Sequence, residues 1–197
     1  IEVVPGVEVS AAFQGEEIHL LGYYPSLDSR LPLFLKLMKQ ERFRRAGKIL
    51  HKLNQMGINL NWDEVVQEAC PAAPGRLHFA RLLLKHKVVT SIEEAFNKFL
   101  GEGNSAYSPR KILPAKKVLS ILHESRAVTV LAHPGLIKRI SVNELLSLGI
   151  RGLEVYYPDH SRSEQRRFHQ LAREHKLIIT GGSDFHGGPQ CKVSCPG

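Results

Sequence analysis

Hydrophobic and polar residues change rhythm three times along this chain. The opening alternates. Val3, Val4, Val7 and Val9 around Pro5-Gly6 predict a strand over residues 2–10, and EIHLLGYY predicts a second over 17–24. The short polar link AAFQGE between them predicts a hairpin. The middle takes helical spacing. Leu33, Phe34, Leu37, Phe43, Ile49, Leu50 and Leu53 predict one long helix over 31–56, stopped by Gly57. A short helix over 63–69 follows, then a break at PAAPG. Two more helices are expected over 78–86 and 92–100, the second opened by Ser91 with Glu94 three residues on. Residues 101–109 read as a loop.

The last third is built of short apolar runs. AVTVLA (127–132), GLEVYY (152–157) and LIITG (177–181) predict buried strands, separated by helices over 115–123, 143–148 and 163–175. Strands alternating with helices imply parallel pairing through crossover units. The chain therefore divides into α/β material at 1–29 and 113–197 and an all-helical insertion at 30–112, with no internal repeat.

In α/β folds, chemistry gathers at the carboxyl ends of the strands. Here AVTVLA runs directly into His133, LIITGG into Asp184 and His186, and GLEVYY into Asp159 and His160. Glu8 lies in the second half of the first strand. His19 alternates with Ile18 and Leu20, so it faces away from them. Imidazole and carboxylate together suit zinc, manganese and iron.

Composition narrows the class. With 197 residues and 43% hydrophobic content, the chain can build one sizeable core and a smaller lobe, mostly from aliphatic residues because aromatics are 7%. No apolar run approaches the roughly 20 residues that span a bilayer. Three cysteines, Cys70, Cys191 and Cys195, are too few for a disulfide framework, and a cytoplasmic setting is expected. The net charge of +8 includes clusters at Lys36–Lys52 and Arg162–Arg173. Such a balance favours polyanions such as nucleic acid or phosphorylated substrates, although solvated helix faces produce the same runs. The first residue is Ile, and the chain reads as a piece of a longer product.

PGVEVS, EIHLLGYY, GRLHFAR, VLAHPG, GLEVYYPDHS and GGSDFHG resemble the successive motifs of the PHP (polymerase and histidinol phosphatase) superfamily. The nearest branch is the bacterial phosphoesterases that act on nucleoside bisphosphates and trim RNA from its 5′ end. The resemblance implies a distorted TIM-like barrel, incomplete at its N-terminus here, with a helical insertion. It implies metal ligands at Glu8, His19, His133, Asp184 and His186, with Glu8 bridging two ions. Two or three divalent ions are expected, manganese first, with iron or zinc as alternatives. The family also carries a His-x-His block and an Asp-His block before PGVE. Neither is in this sequence, so the five residues are the downstream share of a larger cluster.

The expected reaction is hydrolysis of phosphate esters of nucleotides or short RNA by a metal-activated water. Arg76 and His78, at the start of an insertion helix, are candidates for the substrate phosphate, since an Arg fork binds it bidentately. The competing reading is that Arg76 forms a salt bridge with a neighbour, and phosphate binding is the favoured one. His160 is the candidate to bind the phosphate or to protonate the leaving oxygen. Lys138 and Arg139 are weaker candidates, and the helical histidines read as surface positions. Two other readings stay open: a small-metabolite phosphatase, such as one for histidinol phosphate, and a non-catalytic PHP module.

Overall fold

A computed structural model of the chain describes residues 1–184. It forms two compact units, Ile1–Pro32 with Ile112–Gly197, and Leu33–Lys111. His186, Cys191 and Cys195 lie outside the described residues.

The first unit is built on a six-stranded sheet of order β3-β1-β2-β4-β5-β6. Its strands are β1 (Gly6–Phe13), β2 (Glu16–Tyr23), β3 (Leu113–Pro114), β4 (Val128–Leu131), β5 (Gly152–Tyr156) and β6 (Ile178–Gly181). β1 and β2 form the expected hairpin, but the turn is only Gln14-Gly15. Both turn residues have positive φ, 47° and 81°, the handedness that suits the twist of the flanking strands. The strands therefore run on through residues expected to be link. β1 starts later than predicted for a related reason. Gly6 already pairs with Tyr23, so residues 2–5 run past the ladder, and Val3 and Val4 are exposed.

β2 pairs antiparallel with β4, while β4, β5 and β6 are mutually parallel. The parallel pairs are joined through α6 (Val142–Leu146) and α7 (Arg162–Glu174), as the alternating pattern predicted. α5 (Ala115–Glu124) packs on the sheet at Gly22, where an added Cβ would come within 2.8 Å of Leu122. Ile18, Leu20, Leu122, Leu131, Leu153, Val155 and Phe168 are buried in this unit. The short β3 had no signal in the sequence; its two residues pair with Ala11 and Ala12.

The second unit is helical. α1 (Leu31–Gln55) enters it, followed by α2 (Trp62–Ala69), α3 (Arg76–Lys85) and α4 (Ile92–Ala95). Asn61 and Glu64 close a capping box on α2. Ile49, Leu53, Val65, Phe79, Leu82, Leu83 and Leu100 form its core. The helix predicted over 92–100 becomes one α turn followed by a wider turn over Phe96–Leu100. The Gly101 amide donates to Phe96 O at 2.7 Å, an approach a Cβ at Gly101 would block. Among the described residues, no helix is long and apolar enough to cross a membrane.

Candidate metal centre

The hairpin register brings the first two candidate ligands together. Glu8 pairs with Leu21 and Ser10 with His19, so Glu8 and His19 are diagonal neighbours on one face. On the other side of β2, the Ala132 amide bonds to His19 O at 3.1 Å. The chain then leaves β4 through His133, whose φ of 29° and ψ of 60° turn it sharply out of the strand. Pro134 follows, which cannot continue the ladder.

The result is a cluster of three potential ligand atoms, from Glu8, His19 and His133, all within 4.8 Å of one another. His19 Nδ1 stands 2.7 Å from Glu8 Oε1 and 3.1 Å from His133 Nε2. His133 Nε2 is 3.6 Å from the same Glu8 oxygen. Two imidazole nitrogens and a carboxylate oxygen aimed at one point form a donor set that suits a borderline divalent ion.

The electrostatics agree with that geometry. His133 and His19 beside it hold the Glu8 carboxyl far below the usual range, against the opposing effect of burial. Hydrogen bonds to Glu17 and Glu8 raise the His19 imidazole from 6.5 to about 9. The site is thus rich in negative potential, and a proton on His19 answers it.

Asp184 stands just past β6, also at positive φ, 49°. The Tyr157 hydroxyl donates to Asp184 Oδ2 at 3.3 Å. The Tyr157 ring packs against His133, with centroids 5.3 Å apart. Burial, and then the Asp184 charge, push the Tyr157 hydroxyl up to about 12, so it remains a donor. His133 and Asp184, expected on one rim, are therefore linked through Tyr157.

His160 is placed differently from a free proton donor. It is 5% exposed, its Nδ1 faces Val155 O at 2.9 Å, and its Nε2 accepts the Gly135 amide at 3.1 Å. That pairing requires the Nδ1–H tautomer. Both nitrogens are engaged with backbone, and any proton transfer by His160 requires Gly135 to let go.

Arg76 and His78 belong to the helical unit. The Arg76 guanidinium lies 5.5 Å from the Phe96 ring and 5.7 Å from the Tyr107 ring, and donates to Leu100 O at 3.4 Å. His78 Nδ1 accepts the Gly75 amide at 2.9 Å, capping α3. Burial lowers the His78 imidazole, with Arg81 adding to the effect. Lys138 and Arg139 hold Glu16 through their backbone amides, at 2.8 and 3.0 Å.

Two residues of GLEVYY went unnoticed in the sequence: Tyr157 and Glu154. Glu154 is 6% exposed, and its Oε2 accepts the His133 amide at 2.8 Å. Burial raises its carboxyl above the usual range, the His133 amide opposing and Glu8 and Asp184 adding. An acid inside an otherwise apolar strand was the available signal.

Comparison with known proteins bears on this centre. No family model matches the chain. It is 30% identical over 196 residues to the 5′-3′ exoribonuclease Rnm of Escherichia coli, covering 94% of this chain and 66% of that protein. It is 28% identical over 195 residues to the 3′,5′-nucleoside bisphosphate phosphatase of Chromobacterium violaceum, covering 94% and 68%. A solved protein of Bifidobacterium adolescentis, assigned to the metal-dependent phosphoesterases, superposes with a TM-score of 0.80 at 25% identity, over 94% of this chain and 69% of that one. The chain is thus similar to enzymes named as an exoribonuclease and a nucleoside bisphosphate phosphatase, and to a solved metal-dependent phosphoesterase. A second solved structure, an amidohydrolase of Chromobacterium violaceum with bound sulfate and no metal, also has a TM-score of 0.80, at 26% identity over 98% and 71%. The chain spans just under two thirds, 66%, of the E. coli exoribonuclease. The mixed α/β fold, with its six-stranded sheet and helices, is shared with these solved structures.

Proposed function

We propose that this protein is a metal-dependent phosphoesterase that hydrolyses phosphate esters of nucleotides or short RNA. The observation that carries the reading is the convergence of Glu8, His19 and His133, whose potential ligand atoms lie within 4.8 Å. Relatives named as an exoribonuclease and as a nucleoside bisphosphate phosphatase support the substrate class. In this reading Glu8, His19, His133, Asp184 and His186 hold divalent ions, manganese first. The α/β segments form part of a PHP barrel, residues 30–112 form its helical insertion, and the protein works in the cytoplasm.

A bound divalent ion would supply a polarised phosphoryl oxygen and a hydroxide at neutral pH. The chain's own residues prepare for that. Glu8 offers a carboxylate that stays ionised. His19 and His133 offer ring nitrogens to the same point. Tyr157 orients the Asp184 carboxylate through its hydroxyl. Arg76, lying against the Phe96 and Tyr107 rings, has a restricted orientation suited to a phosphate. His160 acts on the leaving oxygen only if the Gly135 amide releases it.

The test is hydrolysis of a short 5′-phosphorylated RNA and a nucleoside 3′,5′-bisphosphate with manganese and after chelation. Turnover should require the metal, and Asp184→Ala should lose it by at least about 100-fold while melting within a few degrees of the parent. Normal turnover in Asp184→Ala refutes the site. A preference for a small phosphomonoester such as histidinol phosphate refutes the substrate class.

A further inference from the structure

β5 is an apolar strand with one acid in it. Leu153 and Val155 are fully buried, and Glu154 between them is nearly so. A carboxyl group in such a place is costly unless its oxygens are met. Oε2 accepts the backbone N–H of His133 at 2.8 Å. Oε1 lies against the passing backbone of Gly182, where an added Cβ would stand 2.8 Å away. Glu154 thus reaches from β5 to the end of β4 on one side and of β6 on the other. Gly182 is two residues before Asp184.

Both strand ends carry a candidate ligand in a backbone conformation that side-chain-bearing residues rarely adopt. His133 has φ 29° and Asp184 φ 49°. Such residues persist only when their surroundings hold them there. At His133 the holding contact is on the strained residue itself, because the amide that Glu154 accepts is His133's own. A relaxed His133 would follow the β4 direction and swing its imidazole away from Glu8 and His19.

We propose that Glu154 is a positioning residue of the metal centre, holding His133 in its ligand-presenting turn and keeping the β4 and β6 ends in register. This rests on the reading of His133 as a ligand. Gly182 is then a requirement of the same arrangement, since any larger residue collides with the Glu154 carboxyl group.

The test compares Glu154→Gln, which keeps an acceptor of the same shape, with Glu154→Met, which keeps the length and removes it. Two quantities are measured: hydrogen exchange at the His133 amide in metal-free protein, and manganese affinity by calorimetric titration. Glu154→Gln should retain both. Glu154→Met should lose His133 amide protection and bind manganese about 10- to 100-fold more weakly, with an unchanged circular dichroism spectrum. Met retaining both properties overturns the proposal. Gln losing affinity as Met does also overturns it, because the charge would then act directly on the ion. If the Met variant does not fold, the Gln variant decides: retention of both upholds the proposal and loss of either overturns it. If the parent protein binds no manganese, the ligand reading fails. The exchange data then decide for Glu154 alone, with protection lost in Met and kept in Gln upholding its hold on His133, and any other pattern overturning it.

Discussion

Raising the pH should loosen the metal-free protein and tighten its hold on a divalent ion, both through His19. Contacts with Glu17 and Glu8 raise the His19 imidazole from 6.5 to about 9 in the fold. A group whose folded value is raised stabilises the protein while it is protonated. The contribution is complete below about pH 6.5 and is lost as pH climbs through about 9. At full strength that displacement is worth about 3 kcal/mol. The His19 side chain is 30% exposed and Glu8 38%, so solvent screening reduces it to about 1 kcal/mol, or a few degrees of melting temperature. Metal binding has the opposite dependence, because an ion needs the imidazole free of its proton. Manganese affinity should therefore rise with pH across the window from about 6.5 to 9, with protons released from His19 as the ion binds. Calorimetric titrations in buffers of unequal ionisation enthalpy measure both quantities under anaerobic conditions. A flat affinity with no proton release refutes the assignment of His19 as a protonated partner of Glu8.

Phe79→Ala should destabilise the helical unit by about 3–5 kcal/mol, since Phe79 is fully buried in its core; a loss under about 1 kcal/mol in chemical denaturation contradicts that packing. Arg76→Ala should raise KM for a phosphorylated substrate by about tenfold with metal content unchanged, and cost about 1 kcal/mol through the lost Phe96 and Tyr107 contacts. Loss of metal in parallel with KM would make Arg76 a structural residue.

Much of the local structure was legible because it depends on neighbours along the chain. The Ser91 cap, the short helix over 62–69, and the apolar runs at β4 and β5 all follow from short-range periodicity and hydrogen bonding. His133 and Asp184 could be named because both follow a strand directly. Element ends were less legible. Residues 2–5 have strand-forming side chains, but β1 begins only where Tyr23 supplies a partner.

The sequence by itself determined which residue types stand at the strand ends, where the helical segment interrupts the α/β pattern, and which candidate ligands accompany them. Tertiary structure decided how those residues meet. The diagonal placement of Glu8 and His19 depends on hairpin register, and the inward turn of His133 depends on an amide bonded to Glu154, a residue 21 positions away. Of the two backbone contacts that occupy His160, one comes from nearby Val155 and the other from Gly135, 25 positions away. Periodicity reports which face a side chain takes, whereas a ligand cluster requires atoms from separate strands within a few ångströms. Pairing between strands sets that distance, and the pairing is a property of the whole sheet.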